Sequence, residues 1–170
     1  MGGIIVRKEL KKLGNEERFR FMAEFARTGF ATSFNNSYGN TIYKPTILFK
    51  NLVLLPENQY ITDHLWFNYG KQFMRLGDLK VGDKVQFDAR VATYQKGWYL
   101  SKTTDFKLTR PTKVKLISND KRPAIPMEKQ ALLGKIWLDN LDFYQANMRE
   151  LEGKSFYIDK YKEWLKNNDK

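Results

Sequence analysis

Strict alternation of apolar and polar side chains after a Gly-Asp pair is the feature that most restricts the fold of this chain. Apolar residues follow Gly82-Asp83 at every second position, as Val85, Phe87, Ala89 and Val91. The positions between them carry Lys84, Gln86, Asp88 and Arg90, and Tyr94 lies on the same side. A period of two is typical of a strand that buries one face, and Gly-Asp favours a turn. Residues 84–94 are therefore predicted to form a strand with one apolar face and one basic, aromatic-tipped face.

Four further segments show strand patterns, namely 18–27, 46–53, 61–69 and 98–108. The first alternates, with Phe19, Phe21, Ala23 and Phe25 on its apolar side, whereas the second is a nearly continuous apolar run suited to a central strand. In the third, an inward Leu65 and Phe67 would turn Trp66 outward. The last segment, 98–108, is predicted to be the fifth strand along the chain and to place Trp98, Leu100, Phe106 and Leu108 on the core side.

The order of the elements predicts the fold class, mainly β with α. Residues 28–44 are rich in Asn, Ser, Thr and Gly, which favours a long connection or an open hairpin, and 71–76 suit a helical turn or two. Five strands with a helical interruption between the third and fourth match an OB-like Greek-key barrel. We assign this barrel to residues 18–110 and an amino-terminal arm to 1–17.

The carboxyl-terminal third changes character. Three prolines and several lysines mark 111–126 as a linker, and 127–170 are predicted to be a helical extension that forms a hairpin, with helices over about 127–151 and 156–166. One helix face is lined by Leu133, Trp137, Leu141, Tyr144 and Met148. This face either caps the barrel within the chain or docks a protein partner or a second copy.

The positive charge is unevenly distributed along the 170 residues, whose net charge is +11. Lys and Arg outnumber Asp and Glu by nine to six over 1–70, eleven to four over 71–115 and two to one over 116–125, and match them at eight to eight over 126–170. The excess thus falls on the predicted fourth and fifth strands. Such a pattern indicates contact with a polyanion in that region.

Several chemistries are disfavoured by the composition. The chain has no cysteine and one histidine, so disulfides and thiolate metal sites are excluded and no cofactor is expected. Adjacent strand residues point to opposite faces, which argues against Asp63 orienting His64 for acid-base work, and Gly82-Asp83 lacks a phosphate-loop continuation. We therefore expect no enzyme. The first 14 residues lack a signal-peptide pattern and no window suits a membrane span, so a soluble cytoplasmic protein is expected.

A nucleic-acid site requires cations beside flat rings on which bases can stack. The candidate cations are Arg20, Lys84, Arg90, Lys96 and Lys107, and the candidate rings are Trp66, Tyr94 and Tyr99. In an OB-fold the loops that follow strands one and four flank the binding surface, which adds Phe34 and Tyr38 as possible clamps. The alternative is that Trp66 and Tyr94 are covered by the carboxyl-terminal helices.

A resemblance is carried by the motifs TDHLWF at 62–67, GDKVQFDARV at 82–91 and YQKG at 94–97. With the apolar residues Phe73, Leu76 and Leu79 between them, these motifs resemble a group of small, poorly characterised OB-like proteins of phages and bacterial mobile elements. The resemblance covers roughly residues 18–113 and implies a phage or plasmid setting.

Two functions from different classes follow. The first is a non-catalytic protein that binds single-stranded DNA or RNA with little sequence preference, in phage or mobile-element replication, recombination or transfer. The second is an interaction factor, such as an inhibitor of a host nucleic-acid-binding defence complex, that uses the basic face and the carboxyl-terminal helices. Neither hypothesis requires a metal, a cofactor or a membrane.

Overall fold

The computed structural model describes residues 7–35, 40–96 and 103–168, without the side chains at 34, 35, 40, 96 and 103. The elements in these ranges are α1 (Lys8–Leu13), β1 (Arg18–Asn35), β2 (Asn40–Leu54), β3 (Gln59–Asn68), α2 (Lys71–Met74), β4 (Lys84–Lys96), β5 (Thr103–Leu116), α3 (Lys129–Asp139), α4 (Leu141–Ala146) and α5 (Lys154–Asn168). The fold is mainly β with α, as the order of patterns predicted.

The strands form one sheet in the order β3-β2-β1-β4-β5, and β4 is antiparallel to both β1 and β5. The pairing of β1 with β4 across two intervening strands in the chain gives the Greek-key crossover of an OB-like fold. Among the described residues β3 and β5 are not neighbours, so the sheet is open rather than a closed barrel.

The chain divides into two compact units. Unit 1 comprises Met1–Phe25, Phe49–Phe67 and Lys80–Asp120, and unit 2 comprises Ala26–Leu48, Asn68–Leu79 and Lys121–Lys170. The division does not follow the predicted boundaries at 110 and 126, because the long strands β1, β2 and β3 contribute to both units.

Alternation in β1 and β4 builds the core of unit 1. Phe21 lies opposite Phe87 in the register and their rings stack with centroids 6.0 Å apart. Phe49 of β2 and Phe67 of β3 reach the same ring, at 6.2 and 5.3 Å. All four side chains are buried, which confirms the predicted inward face of the strand pattern. Burial of such aromatic side chains is the main stabilising term in a core of this kind.

Strand β5 contains two β-bulges that the sequence pattern does not predict. The register with β4 slips between Gln86 and Asp88 and again between Asp88 and Arg90, and β5 supplies the extra residue each time. Arg110 and Lys113 in these bulges have φ of 53° and 51°, a left-handed conformation uncommon outside glycine. The prediction that the barrel ends at 110 and a linker starts at 111 is wrong, because β5 continues to Leu116 through Pro111. Proline is tolerated there because β5 is an edge strand with bulges.

The segment expected to be an arm begins with the short helix α1, which packs on β4 and β5. Leu10 is fully buried. The backbone N–H of Arg7 donates to Asp105 Oδ1 at 2.8 Å, and its Nη1 donates to the Tyr94 hydroxyl at 2.9 Å. The amino-terminal segment is therefore attached to unit 1 by both apolar and polar contacts.

Helices α3, α4 and α5 lie in unit 2. The single helix predicted over 127–151 is wrong, because the chain breaks at Asn140 into α3 and α4. The Asn140 side chain donates to the Ile136 carbonyl at 2.8 Å and to Thr28 Oγ1 at 2.9 Å, so it competes with continued helical hydrogen bonding. Helices α3 and α5 approach closely at Gly134, where an added Cβ would lie 2.1 Å from the Tyr157 carbonyl oxygen.

Candidate nucleic-acid interface

A set of cations lies on the outward side of β1, β4 and β5 in unit 1. Even positions of β1 and β4 face outward, since the odd positions Phe21 and Phe87 fill the core. We name as the basic face the residues Arg18, Arg20, Lys84, Arg90, Lys107, Lys113 and Lys115. The structure thus brings together four residues expected at the site: Arg20, Lys84, Arg90 and Lys107.

Carboxylates are scarce on these strands. Strands β4 and β5 together contain seven Lys or Arg and two Asp, which are Asp88 and Asp105, and β1 adds three Arg and Glu24. Net charge alone does not single out this region, because unit 2 also has an excess, with 14 Lys or Arg against nine Asp or Glu. What distinguishes the basic face is the low number of acidic groups beside its cations.

Asp88 is the carboxylate at the centre of the basic face. Arg20 donates to it twice, from Nε to Oδ1 at 2.8 Å and from Nη2 to Oδ2 at 3.3 Å. Lys113 Nζ lies 4.0 Å from Oδ2. The hydrogen bond from Arg20, with the charges of Arg20, Lys113 and Arg18, outweighs partial burial and holds the pKa of Asp88 below its usual range. Asp88 is therefore ionised at neutral pH.

Arg18 crosses β4 and reaches the bulges of β5. Its Nη2 donates to the Asp88 carbonyl at 3.0 Å, to Thr112 Oγ1 at 2.9 Å and to the Arg110 carbonyl. These acceptors lie where the β4–β5 ladder is irregular, so Arg18 satisfies backbone groups that the bulges leave unpaired. The residue fixes the local shape of the basic face and adds a positive charge to it.

Three lysines complete the face. Lys84, Lys107 and Lys115 are exposed. Within the described ranges, no carboxylate oxygen lies within 4.0 Å of their Nζ atoms. Their charges are thus available to an external anion, in contrast to that of Arg20.

Tyr94 is less available for stacking than the sequence pattern indicated. Its hydroxyl accepts from Arg7 and donates to Asp105 Oδ2 at 3.2 Å, and Lys107 Nζ lies 5.8 Å from the ring centroid. The ring is half-buried and held by these contacts. Asp105 itself is fully buried. Burial would raise its pKa, but hydrogen bonds from the N–H groups of Arg7 and Phe106, the Arg7 charge and the Tyr94 hydroxyl bring the pKa below its usual range.

Trp66 of β3 is 38 % exposed and faces outward, as the alternation with Leu65 and Phe67 predicted. In the sheet order it lies two strands from β1, so it is not on the same strands as the cations. The other ring and loop candidates, Tyr38 and Tyr99, lie outside the described residues. The side chains of Phe34 and Lys96 are likewise not described, and these four residues stay predictions.

The Asp63 and His64 side chains contact each other, which the sequence analysis did not predict. The two side chains are hydrogen-bonded, with His64 Nδ1 2.9 Å from Asp63 Oδ1, although neighbours on a regular strand would diverge. Both are exposed, at 54 % and 75 % for His64 and Asp63, so they are free to bend toward each other over the surface. The hydrogen bond from His64 lowers the pKa of Asp63. The pair is a surface contact.

The helical face proposed for a partner is mostly covered by its own chain. Leu133, Trp137 and Tyr144 are 0 %, 4 % and 2 % exposed, and the rings of Trp137 and Tyr144 stack at 5.0 Å. Leu141 is half-buried. Met148 is 90 % exposed and lies in the turn that follows α4. Leu133, Trp137 and Tyr144 belong to a core within unit 2, so the expected partner surface is wrong for these three. The physical reason is packing within unit 2: the Tyr144 ring also contacts the Phe30 ring, with centroids 5.1 Å apart, and α3 packs against α5.

Neither a metal site nor a membrane-spanning helix is found in the part of the chain that the structure describes. Among these residues no group of three or more His, Cys, Asp or Glu side chains is placed to hold a metal ion. None of the helices in these ranges combines the length and the apolar character needed to span a bilayer.

Sequence reasoning missed three residues of the basic face: Arg18, Lys113 and Lys115. Arg18 lies on the same polar side of the β1 alternation as Arg20, so the sequence pattern was sufficient to identify it as a site residue. Lys113 and Lys115 were assigned to a linker because of Pro111 and the neighbouring prolines. The bulges that let this segment continue β5 use non-glycine residues, so no glycine in the sequence indicates where they lie.

Comparison with known proteins adds little. No family model matches the chain, and no curated protein matches it. Among solved structures, the chain is similar to the small single-stranded DNA-binding protein from Streptomyces coelicolor, with 17 % identity and a TM-score of 0.34. The match covers 63 % of this chain and 100 % of that protein. Similarity at this TM-score supports no conclusion on function, which therefore depends on the residues described above.

Proposed function

We propose that the chain is a non-catalytic protein that binds single-stranded nucleic acid, DNA or RNA, through the basic face, with little dependence on base sequence. The observation that carries the proposal is the concentration of exposed lysines and arginines on β1, β4 and β5 with few carboxylates among them. Binding of this kind draws its free energy from counterions released when cations neutralise phosphates.

Ring stacking is the second part of the proposal. Trp66 presents a partly exposed indole, and each base stacked on such a ring contributes about 1 to 3 kcal/mol irrespective of base identity. Phosphate contacts and stacking on a flexible strand together favour a single strand over a rigid duplex. Neither contact reads base edges, which is the reason for low sequence specificity.

The interaction-factor alternative loses part of its support. It required the helical face of 127–170 to be available, and Leu133, Trp137 and Tyr144 are buried. The basic face supports either hypothesis equally, so binding to purified nucleic acid separates them. A phage or mobile-element setting, which rests on the sequence resemblance, and a cytoplasmic location are also part of the proposal.

The proposal is tested by gel-shift titration of the purified full chain with a single-stranded oligonucleotide and its duplex, at low and at physiological salt. We expect the single strand to bind more tightly and both affinities to fall steeply as salt is added. Binding that does not change with salt, or no binding to either form, would contradict the proposal.

A further inference from the structure

The two arginines predicted for the site differ in what they already contact. Arg20 makes two hydrogen bonds to the Asp88 carboxylate, so its charge is compensated within the protein. Arg90, two residues further along β4 than Asp88, has a buried Nε atom without a hydrogen-bond partner in the described chain. That atom is closed to solvent, so a ligand would have to bind the Nη atoms. Within the described ranges no carboxylate oxygen lies within 4.0 Å of the Arg90 guanidinium, so its charge is not compensated by an ion pair.

The surroundings of Arg90 increase this imbalance. Its partner in the β1 register is Arg18, so two arginines lie directly opposite each other on neighbouring strands. Like charges at opposed positions destabilise a sheet unless an anion lies between or beside them. The nearby carboxylate, Asp88, is bonded to Arg20, and the β5 partner of Arg90 is the neutral Thr109. The region therefore has excess positive charge at one point.

We infer that Arg90 forms a discrete site for one phosphate group, whose attraction is increased by the charge of Arg18 opposite it, and that Arg20 does not bind phosphate while Asp88 is ionised. The ligand class is a phosphodiester or inorganic phosphate, whose oxygens accept from the Arg90 guanidinium as a carboxylate would. The inference rests on the proposed function for its biological ligand, a nucleic-acid backbone, but the site itself is tested with phosphate alone.

Asp88 sets the difference between the two arginines. For Arg20 to bind a ligand phosphate, it must first break both hydrogen bonds to Asp88 and leave that carboxylate with Lys113 at 4.0 Å. Arg90 has no ion pair with a carboxylate in the described ranges, so it has no such contact to break. Asp88 thus acts as an internal competitor for Arg20, and Asp88→Asn should release Arg20 for binding.

The first experiment follows the arginine guanidinium signals, Nη–H as well as Nε–H, of the full-length protein by NMR during titration with inorganic phosphate. We expect the Arg90 signal to shift in a saturable way and the Arg20 signal to move little. A larger shift at Arg20, or no shift at Arg90, would overturn the inference. This readout does not depend on oligonucleotide binding, so it tests the phosphate site even where the proposed function fails.

The second experiment compares variants in binding to a labelled single-stranded oligonucleotide. Arg90→Gln should weaken binding about tenfold and lower the magnitude of the salt slope by about 0.7, whereas Arg20→Gln should change affinity less than about threefold. In the Asp88→Asn background, Arg20→Gln should become costly. Glu24→Gln is the control, because it removes one negative charge from β1 without releasing an arginine. Equal losses for Arg20→Gln and Arg90→Gln in the wild-type background would contradict the inference. Each variant is checked for a cooperative unfolding transition well above the assay temperature, because loss of the Arg20–Asp88 contact is itself expected to lower stability.

Discussion

Arg20 on β1 and Asp88 on β4 are paired in the sheet register and joined side chain to side chain by two hydrogen bonds, at 2.8 and 3.3 Å. This contact links adjacent strands on the outward side of the sheet, opposite the stacked Phe21 and Phe87 rings. It also withdraws one cation and one anion from the basic face. Its consequences reach both stability and binding.

The pair predicts a pH dependence of stability. Because the pKa of Asp88 is lower in the folded chain than in the unfolded chain, its contribution is present above the unfolded value of about 3.9 and is lost as the pH falls through the folded value. Urea unfolding from neutral pH to below that range should show a steeper acid loss for the wild type than for Asp88→Asn. Arg20→Gln should flatten the profile in the same way. Identical profiles for all three proteins would contradict the assignment.

A second prediction concerns the buried carboxylate under α1. Asp105→Ala leaves the N–H groups of Arg7 and Phe106 and the Tyr94 hydroxyl without their acceptor, which costs about 1.5 to 3 kcal/mol for bonds to a charged group. Hydrogen exchange should show α1 losing protection before the sheet does. Asp63→Asn, at an exposed site, is the control and should change the free energy of unfolding by less than about 0.5 kcal/mol. Unchanged protection of α1 in Asp105→Ala would contradict the prediction.

The close approach of α3 and α5 gives a prediction for unit 2. Gly134→Ala would place a Cβ 2.1 Å from the Tyr157 carbonyl oxygen and 2.6 Å from its carbon, and backbone atoms cannot rotate away. We expect a loss of about 1 to 3 kcal/mol in the free energy of unfolding. Gly70→Ala is the matched control, since an added Cβ there meets nothing within 4 Å. Equal stability of the two variants would show that the helices separate at little cost.

Stacking is tested at Trp66. Trp66→Ala should weaken binding by about 1 to 3 kcal/mol, by similar amounts on oligonucleotides of different sequence, because every base has a flat face. Phe156→Ala removes a comparably exposed ring, at 49 %, from α5 of unit 2 and should leave affinity unchanged. A loss that depends strongly on base sequence would indicate direct readout instead.

The sheet was largely predictable and the site only in part. Alternation from Val85 to Val91 and in β1 reports burial directly, so the inward Phe21 and Phe87 and the outward Arg20 and Arg90 follow from the sequence. In β3 the same period of two predicts that Trp66 faces outward, as the structure shows. Local pattern failed at 28–44, which was predicted to be a long connection or an open hairpin, because β1 continues to Asn35 and β2 begins at Asn40 despite the many Asn, Ser, Thr and Gly residues.

The missed features depend on contacts between distant residues or on irregular backbone. Arg7 and Asp105 are 98 positions apart, and no local signal pairs them. The bulges at Arg110 and Lys113 use non-glycine residues at positive φ, so β5 resembled a linker. The break at Asn140 depends in part on a hydrogen bond to Thr28, 112 positions away, whereas the spacing from Leu133 to Leu151 alone favoured one helix.

The most direct test of the basic face is the slope of log Kobs against log salt for single-stranded oligonucleotide binding. The triple variant Lys84→Ala, Lys107→Ala and Lys115→Ala should lower the magnitude of the slope by about 2, at about 0.7 per lost phosphate contact. A triple variant of equal charge in unit 2, Lys129→Ala, Lys162→Ala and Lys166→Ala, should keep the wild-type slope. An unchanged slope in the first variant, or an equal drop in the second, would contradict the account.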